Sequence, residues 1–152
     1  MLKEARIYLA DDTKPAIVAA IHHNAAGIYY EQDEAVVVAD WREVLPLVAA
    51  LRSALERFSF RDRNLRDSKL SEWPAYRVSG CRSVKEFQSS YFCISVRAAN
   101  ESELCYIAEA HPLDEREISL CVTINRHGDD EAGRTLFRLY DACSRWSSVM
   151  AQ

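Results

Sequence analysis

Phe92-Cys93-Ile94-Ser95-Val96-Arg97-Ala98 is apolar at every second position. The alternation returns in Leu104-Cys105-Tyr106-Ile107-Ala108 and again in Ile118-Ser119-Leu120-Cys121-Val122-Thr123-Ile124. A period of two puts alternate side chains on opposite faces of a strand. Phe92, Ile94, Val96 and Ala98 therefore share one face, and Cys93, Ser95 and Arg97 the other. Asn100-Glu-Ser makes the first turn; His111-Pro112 and an acidic loop make the second. Connections this short imply an antiparallel meander, because parallel pairing needs a crossover of about a dozen residues or more. The apolar face requires a cover, and the end of the chain supplies one. Ala132, Leu136, Leu139 or Tyr140, Cys143 and Trp146 form a helical stripe, begun by Asp129-Asp130-Glu131 at the helix end that favours negative charge. The predicted fold is α+β: an antiparallel sheet meander with helices packed on one face, in a single two-layer domain over residues 1–152.

Upstream, Arg6-Ile-Tyr-Leu9 reads as a short strand that stops at Asp11-Asp12-Thr13. Pro15 to His22 suits a helical turn through its alanines and a strand through Ile17, Val18 and Ile21; the strand is preferred. Gly27-Ile-Tyr-Tyr-Glu31 and Ala35-Val-Val-Val-Ala39 flank a short polar connection and read as a hairpin. Asp40 and Glu43 have the spacing of a capping-box variant, ahead of a helix carrying Val48, Leu51, Leu55 and Phe58. Pro46 sits early in that helix and predicts an irregular start. Arg61 to Leu70 lacks a period and reads as an exposed loop, closed by Trp73-Pro74. Ser83-Val-Lys-Glu86 caps a short helix reaching Ser89 or Ser90.

A chain of 152 residues, 49% hydrophobic and 28% charged, is large enough for one real core and too apolar for disorder. The charged start and the short Val44–Leu51 apolar run suggest neither a signal peptide nor a membrane span, so the expected compartment is the cytoplasm. The five cysteines are odd in number and form no CxxC, which points to reduced, buried thiols. Cys93, Cys105 and Cys121 share the second-face parity of three successive strands. Packing is preferred there to a thiolate metal site, since no histidine or fourth cysteine is fixed nearby.

Catalytic signatures are missing. Neighbours His22 and His23 diverge on a strand or a helix. His111 and His127, expected just beyond strands, have no established ligand spacing with Asp114, Glu115, Asp129 and Asp130. No GxSxG, Walker loop, HExxH or dinucleotide fingerprint occurs. No catalytic residue, metal or cofactor is expected. Charge is the informative signal. Between Arg57 and Arg97 nine basic and four acidic residues give +5, whereas between Asn100 and Glu131 nine acidic residues and two arginines give −7, within a net −4. Asp62 and Asp67 dilute the arginines, and Phe58 and Phe60 interleave them only sparsely, which argues against a nucleic-acid groove. The acidic stretch is the expected partner surface: Glu101, Glu103, Glu109, Asp114, Glu115, Glu117, Asp129, Asp130 and Glu131. Tyr106 or Tyr140 would serve as aromatic anchors if exposed.

In size, acidity and texture, through Gly27-Ile-Tyr-Tyr-Glu31 and Ser83-Val-Lys-Glu-Phe87 leading into Tyr91-Phe-Cys-Ile-Ser-Val96, the chain is similar to bacterial toxin immunity proteins. These include the immunity proteins of contact-dependent growth inhibition systems. The resemblance is loose and carries no residue roles by position. It implies a non-catalytic cytoplasmic protein that binds and neutralises a cognate toxin, often a nuclease, without touching nucleic acid or membrane. Two alternatives fit the same composition. One is a small acidic secretion chaperone holding an extended client, which would expose a large apolar patch. The other is a small hydrolase, which needs a pocket where a histidine meets a carboxylate or cysteine.

Overall fold

The structure is a computed structural model that describes residues 2–113, 116–125 and 128–150. Its framework is one largely antiparallel sheet. The long strands are β1 (Lys3–Leu9), β2 (Ala16–His23), β6 (Phe92–Ala98), β7 (Glu103–Leu113) and β8 (Arg116–Asn125). The short ones are β3 (Tyr29–Glu31), β4 (Val36–Val38) and β5 (Ser59–Phe60). The order across the sheet is β3-β2-β1-β6-β7-β8. The meander inferred from alternation is present as β6, β7 and β8, in the register Ile94↔Ala108 and Ala108↔Leu120. β7 continues through His111 and Pro112, where a register irregularity between Ala110 and Leu113 accommodates the proline. His111 is thus within a strand rather than beyond one.

The expected hairpin of residues 27–31 and 35–39 does not form. β3 and β4 both run antiparallel to β2, through His22↔Tyr30 and Ile17↔Val37. They are two pieces of one interrupted edge strand. The Gln32 amide donates to the Ala20 carbonyl at 2.8 Å within the interruption. With no glycine at the connection, the chain bulges there instead of reversing.

Two helices cover the first face. α1 (Val44–Glu56) and α4 (Asp129–Met150) pack Leu47, Leu51, Leu55, Leu136, Leu139 and Cys143 onto the apolar sides of the long strands. Asp40 and Glu43 form no capping box: Glu43 is the N-cap without a side-chain bond, and its amide donates to the Asp40 carbonyl at 3.2 Å. Pro46 falls in the first turn of α1, where its missing N–H costs nothing. Phe58 lies past the helix end. Gly133 is placed where a Cβ would stand 2.7 Å from Val44 Cγ1, so a residue without a side chain is what lets α4 approach α1.

The two-layer expectation describes α1 and α4, and a smaller layer adds to the opposite face. α2 (Pro74–Val78) and α3 (Val84–Ser90) set Ala75 and Phe87 over Tyr8, Ile17 and Ala19. Pro74 opens α2 behind an extended Trp73, and the Ser83 hydroxyl caps α3 by accepting from the Glu86 amide at 3.1 Å. This layer stops at the β1–β6 side. Over β7 and β8 the second face is open: Cys121, Thr123 and Asn125 are exposed. No helix among the described residues is long and apolar enough to cross a membrane.

Candidate functional site

Strand register decides what becomes of the acidic stretch. Glu103 pairs with Asn125 at one end of the β7–β8 ladder, and Leu113 pairs with Arg116 at the other. Glu101 and Glu103 at the β6–β7 turn therefore lie beside the start of α4, with Asp129, Asp130 and Glu131. Glu109 and Glu117 lie toward the far hairpin, with Glu109 six strand positions, or about 20 Å, from Glu103. Asp114 and Glu115 are outside the described residues. One expected face is in fact two groups at opposite ends.

In the group at the α4 end, Glu101, Glu103, Asp130 and Glu131 are exposed. Asp129 is paired with Arg52 and Asp130 with Arg134 at 3.6 Å. Glu103 accepts from the Asn100 side-chain amide at 2.7 Å. Among the described residues Glu101, Glu103 and Glu131 make no ion pair. Beside them a groove of about 420 Å³ runs between β8 and α4, lined by Val122, Thr123, Asp130, Glu131, Arg134 and Arg138. β8 is the last strand of the sheet, so one backbone edge along the groove has no neighbouring strand among the described residues. Tyr106 is fully buried and does not serve as an anchor; Tyr140 is half-buried against Trp41. The sequence gives no sign of Tyr106's burial beyond its parity with Leu104 and Ala108.

The same end of the sheet carries an opposite character at its other edge. His22 and His23 finish β2 between β3 and β5. His23 stacks on Phe58 at 5.3 Å and meets Tyr29 and Phe60. Arg61 and Arg63 flank this aromatic corner and face Asp33 at 3.9 and 3.8 Å. Arg57 donates to the Gln32 side chain and to the Glu34 carbonyl. A cleft of about 230 Å³ opens nearby, lined by Arg6, Tyr29, Tyr30, Arg63, Lys69 and Trp73.

Below the cleft, Glu31 is buried and accepts from three donors: the Tyr8 hydroxyl, Trp73 Nε1 at 2.9 Å and the Ala75 amide at 3.0 Å. Glu4, also buried, holds Arg97 at 2.8 Å and Arg6 at 3.6 Å. Burial, then the nearby Cys93 and Glu31, raises the Tyr8 hydroxyl well above its ordinary pKa and keeps it a donor. These carboxylates are committed to structure, since each is surrounded by the donors that justify its burial.

The remaining candidates separate. His22 Nδ1 lies 3.0 Å from Ser59 Oγ, and its pKa is lowered, first by burial and further by Arg61 and Arg57. No carboxylate hydrogen-bonds its ring among the described residues. His127 is outside the described residues. Of the three same-face cysteines, Cys105 and Cys121 meet, Sγ to Sγ 2.9 Å apart. Cys93 stays with the α2–α3 layer, its pKa pushed up to about 12 by burial. No group of three or more metal-binding side chains occurs among the described residues.

No family model and no curated protein matches the chain. Among solved structures it is similar to a protein of unknown function, NMB0488 from Neisseria meningitidis. The two are 13% identical, with a TM-score of 0.70, over 94% of this chain and 96% of that one. The likeness shows a shared fold.

Proposed function

We propose that this chain is a non-catalytic binding protein of the toxin-immunity kind, which neutralises a cationic protein toxin by docking the acidic corner at the β6–β7 turn and the start of α4. The supporting observation is the set of exposed carboxylates there, Glu101, Glu103 and Glu131, that form no ion pair among the described residues. Charge exposed without an internal partner costs folding little and is felt by an approaching molecule. Such a field raises encounter rates and rejects acidic competitors. The adjoining groove offers the half-exposed Val122 for apolar contact and the free edge of β8 for backbone hydrogen bonds. A nuclease, whose substrate cleft is basic, is the class of toxin such a surface suits.

The test is growth rescue. A toxin domain encoded beside this chain's gene is expressed until growth stops, and this chain is then co-expressed. Wild type restores growth, and the combined Glu101→Lys, Glu103→Lys, Asp130→Lys and Glu131→Lys variant, folded by circular dichroism, does not. Full rescue by that variant would overturn the acidic corner as the docking surface.

A further inference from the structure

Cys105 and Cys121 are the one pair of sulfurs in contact among the described residues, on the part of the second face beyond the α2–α3 layer. The register places Cys105 opposite Thr123 and Cys121 opposite Ile107, so the two cysteines are diagonal neighbours across β7 and β8. Diagonal positions are about 7–8 Å apart across the ladder, somewhat more than a disulfide spans without backbone movement. The side chains lean together and reduce the gap between sulfurs to 2.9 Å. A disulfide requires about 2.05 Å, so a small shear of two strands closes it. On the neighbouring strand Arg97 pairs in register with Cys105, its guanidinium electrostatically coupled to that sulfur. A cation beside a thiol favours the thiolate.

We propose that Cys105 and Cys121 form a peroxide-sensitive dithiol that converts reversibly to a cross-strand disulfide. The Cys105 thiolate attacks one peroxide oxygen, the O–O bond breaks, and hydroxide leaves as water after taking a proton. The resulting sulfenic acid is attacked by the Cys121 sulfur, which gives up its proton as the S–S bond forms and a second water departs. Two thiols lose two electrons in all, and one hydrogen peroxide gains them. The diagonal geometry strains the product, and strained, exposed disulfides are the readily reduced ones. The contact with Cys105, together with burial, raises the Cys121 pKa above its ordinary value.

The experiment treats the full chain with hydrogen peroxide and follows free thiols and peptide maps. Free thiols are expected to fall from five to three, with one linked peptide joining Cys105 to Cys121, and dithiothreitol is expected to restore all five. The pair should react about ten-fold faster than the buried Cys143. Cys121→Ser is expected to stop the two-thiol loss and leave Cys105 to over-oxidise. Persistence of all five thiols, a link between other cysteines, or a disulfide between two copies would each overturn the proposal, and wild-type maps decide the matter even if the variant folds poorly.

Discussion

At one end of the sheet the β3 edge and the β8 edge stand about 24 Å apart, five strand spacings, and they treat charge in opposite ways. On the β3 side Asp33 faces Arg61 and Arg63, Arg57 is held by Gln32 and the Glu34 carbonyl, and Glu31 is sealed among three donors. On the β8 side Glu101, Glu103 and Glu131 face solvent without an ion pair among the described residues. The difference separates charge that builds the fold from charge available to a partner. Counting residues along the chain does not draw that line; the geometry of the partners does.

The contrast breaks most visibly at Glu31. Glu31→Ala strands the Tyr8 hydroxyl, the Trp73 indole N–H and the Ala75 amide, and is expected to cost about 3 kcal/mol. Urea unfolding followed by tryptophan fluorescence measures it; a loss below about 0.5 kcal/mol would mean that the network does not hold α2 in place. Alkali should attack the same face. Burial raises Cys93 from 9.0 to about 12 and Tyr91 to about 12. The folded state thus keeps protons that the unfolded chain releases sooner. Stability from Cys93 is complete below pH 9.0 and is lost as pH rises toward about 12. Thermal melts across that window should fall, and a flat profile would contradict the buried placement. The smallest effect belongs to the acidic corner's own scaffold. Gly133→Ala pushes a methyl into Val44 while improving helix propensity by about 1 kcal/mol, against an overpacking cost of about 1–3 kcal/mol. A net loss near 1 kcal/mol by chemical denaturation is expected, and a gain would show that α1 yields.

Alternation made the meander legible, because each strand side chain's face follows from its parity, and the helical stripe from Ala132 did the same for the closing helix. The strand preference for residues 15–22, drawn from Ile17, Val18 and Ile21, held as β2, which is buried on both faces over Ala16–Ile21 and so shows no alternation. The hairpin misreading came from Gln32-Asp33-Glu34, which looks like a turn only until β2 is known to pair with both flanking runs. β5 and α2 were missed since two and five residues leave no period to detect. The acidic stretch was legible as composition, but a count of charges ignores that the antiparallel β7–β8 pairing carries Glu103 and Glu109 to opposite ends of the ladder. The Cys105–Cys121 contact was half legible: parity put three sulfurs on one face, and only the diagonal lean chose two. His23 among Phe58, Phe60 and Tyr29 gave no local signal at all, since those partners arrive from β3, from β5 and from the segment just before β5.

The central claim rests on exposed carboxylates without an ion pair among the described residues at the β6–β7 turn and the start of α4. Stopped-flow association with a cationic toxin domain, run from low to high salt, tests it most directly. Wild type should bind with a rate that falls steeply as salt screens the field. Glu101→Gln with Glu131→Gln should slow association about ten-fold at low salt and change stability by less than about 0.5 kcal/mol. A rate indifferent to both salt and those two substitutions would contradict the account.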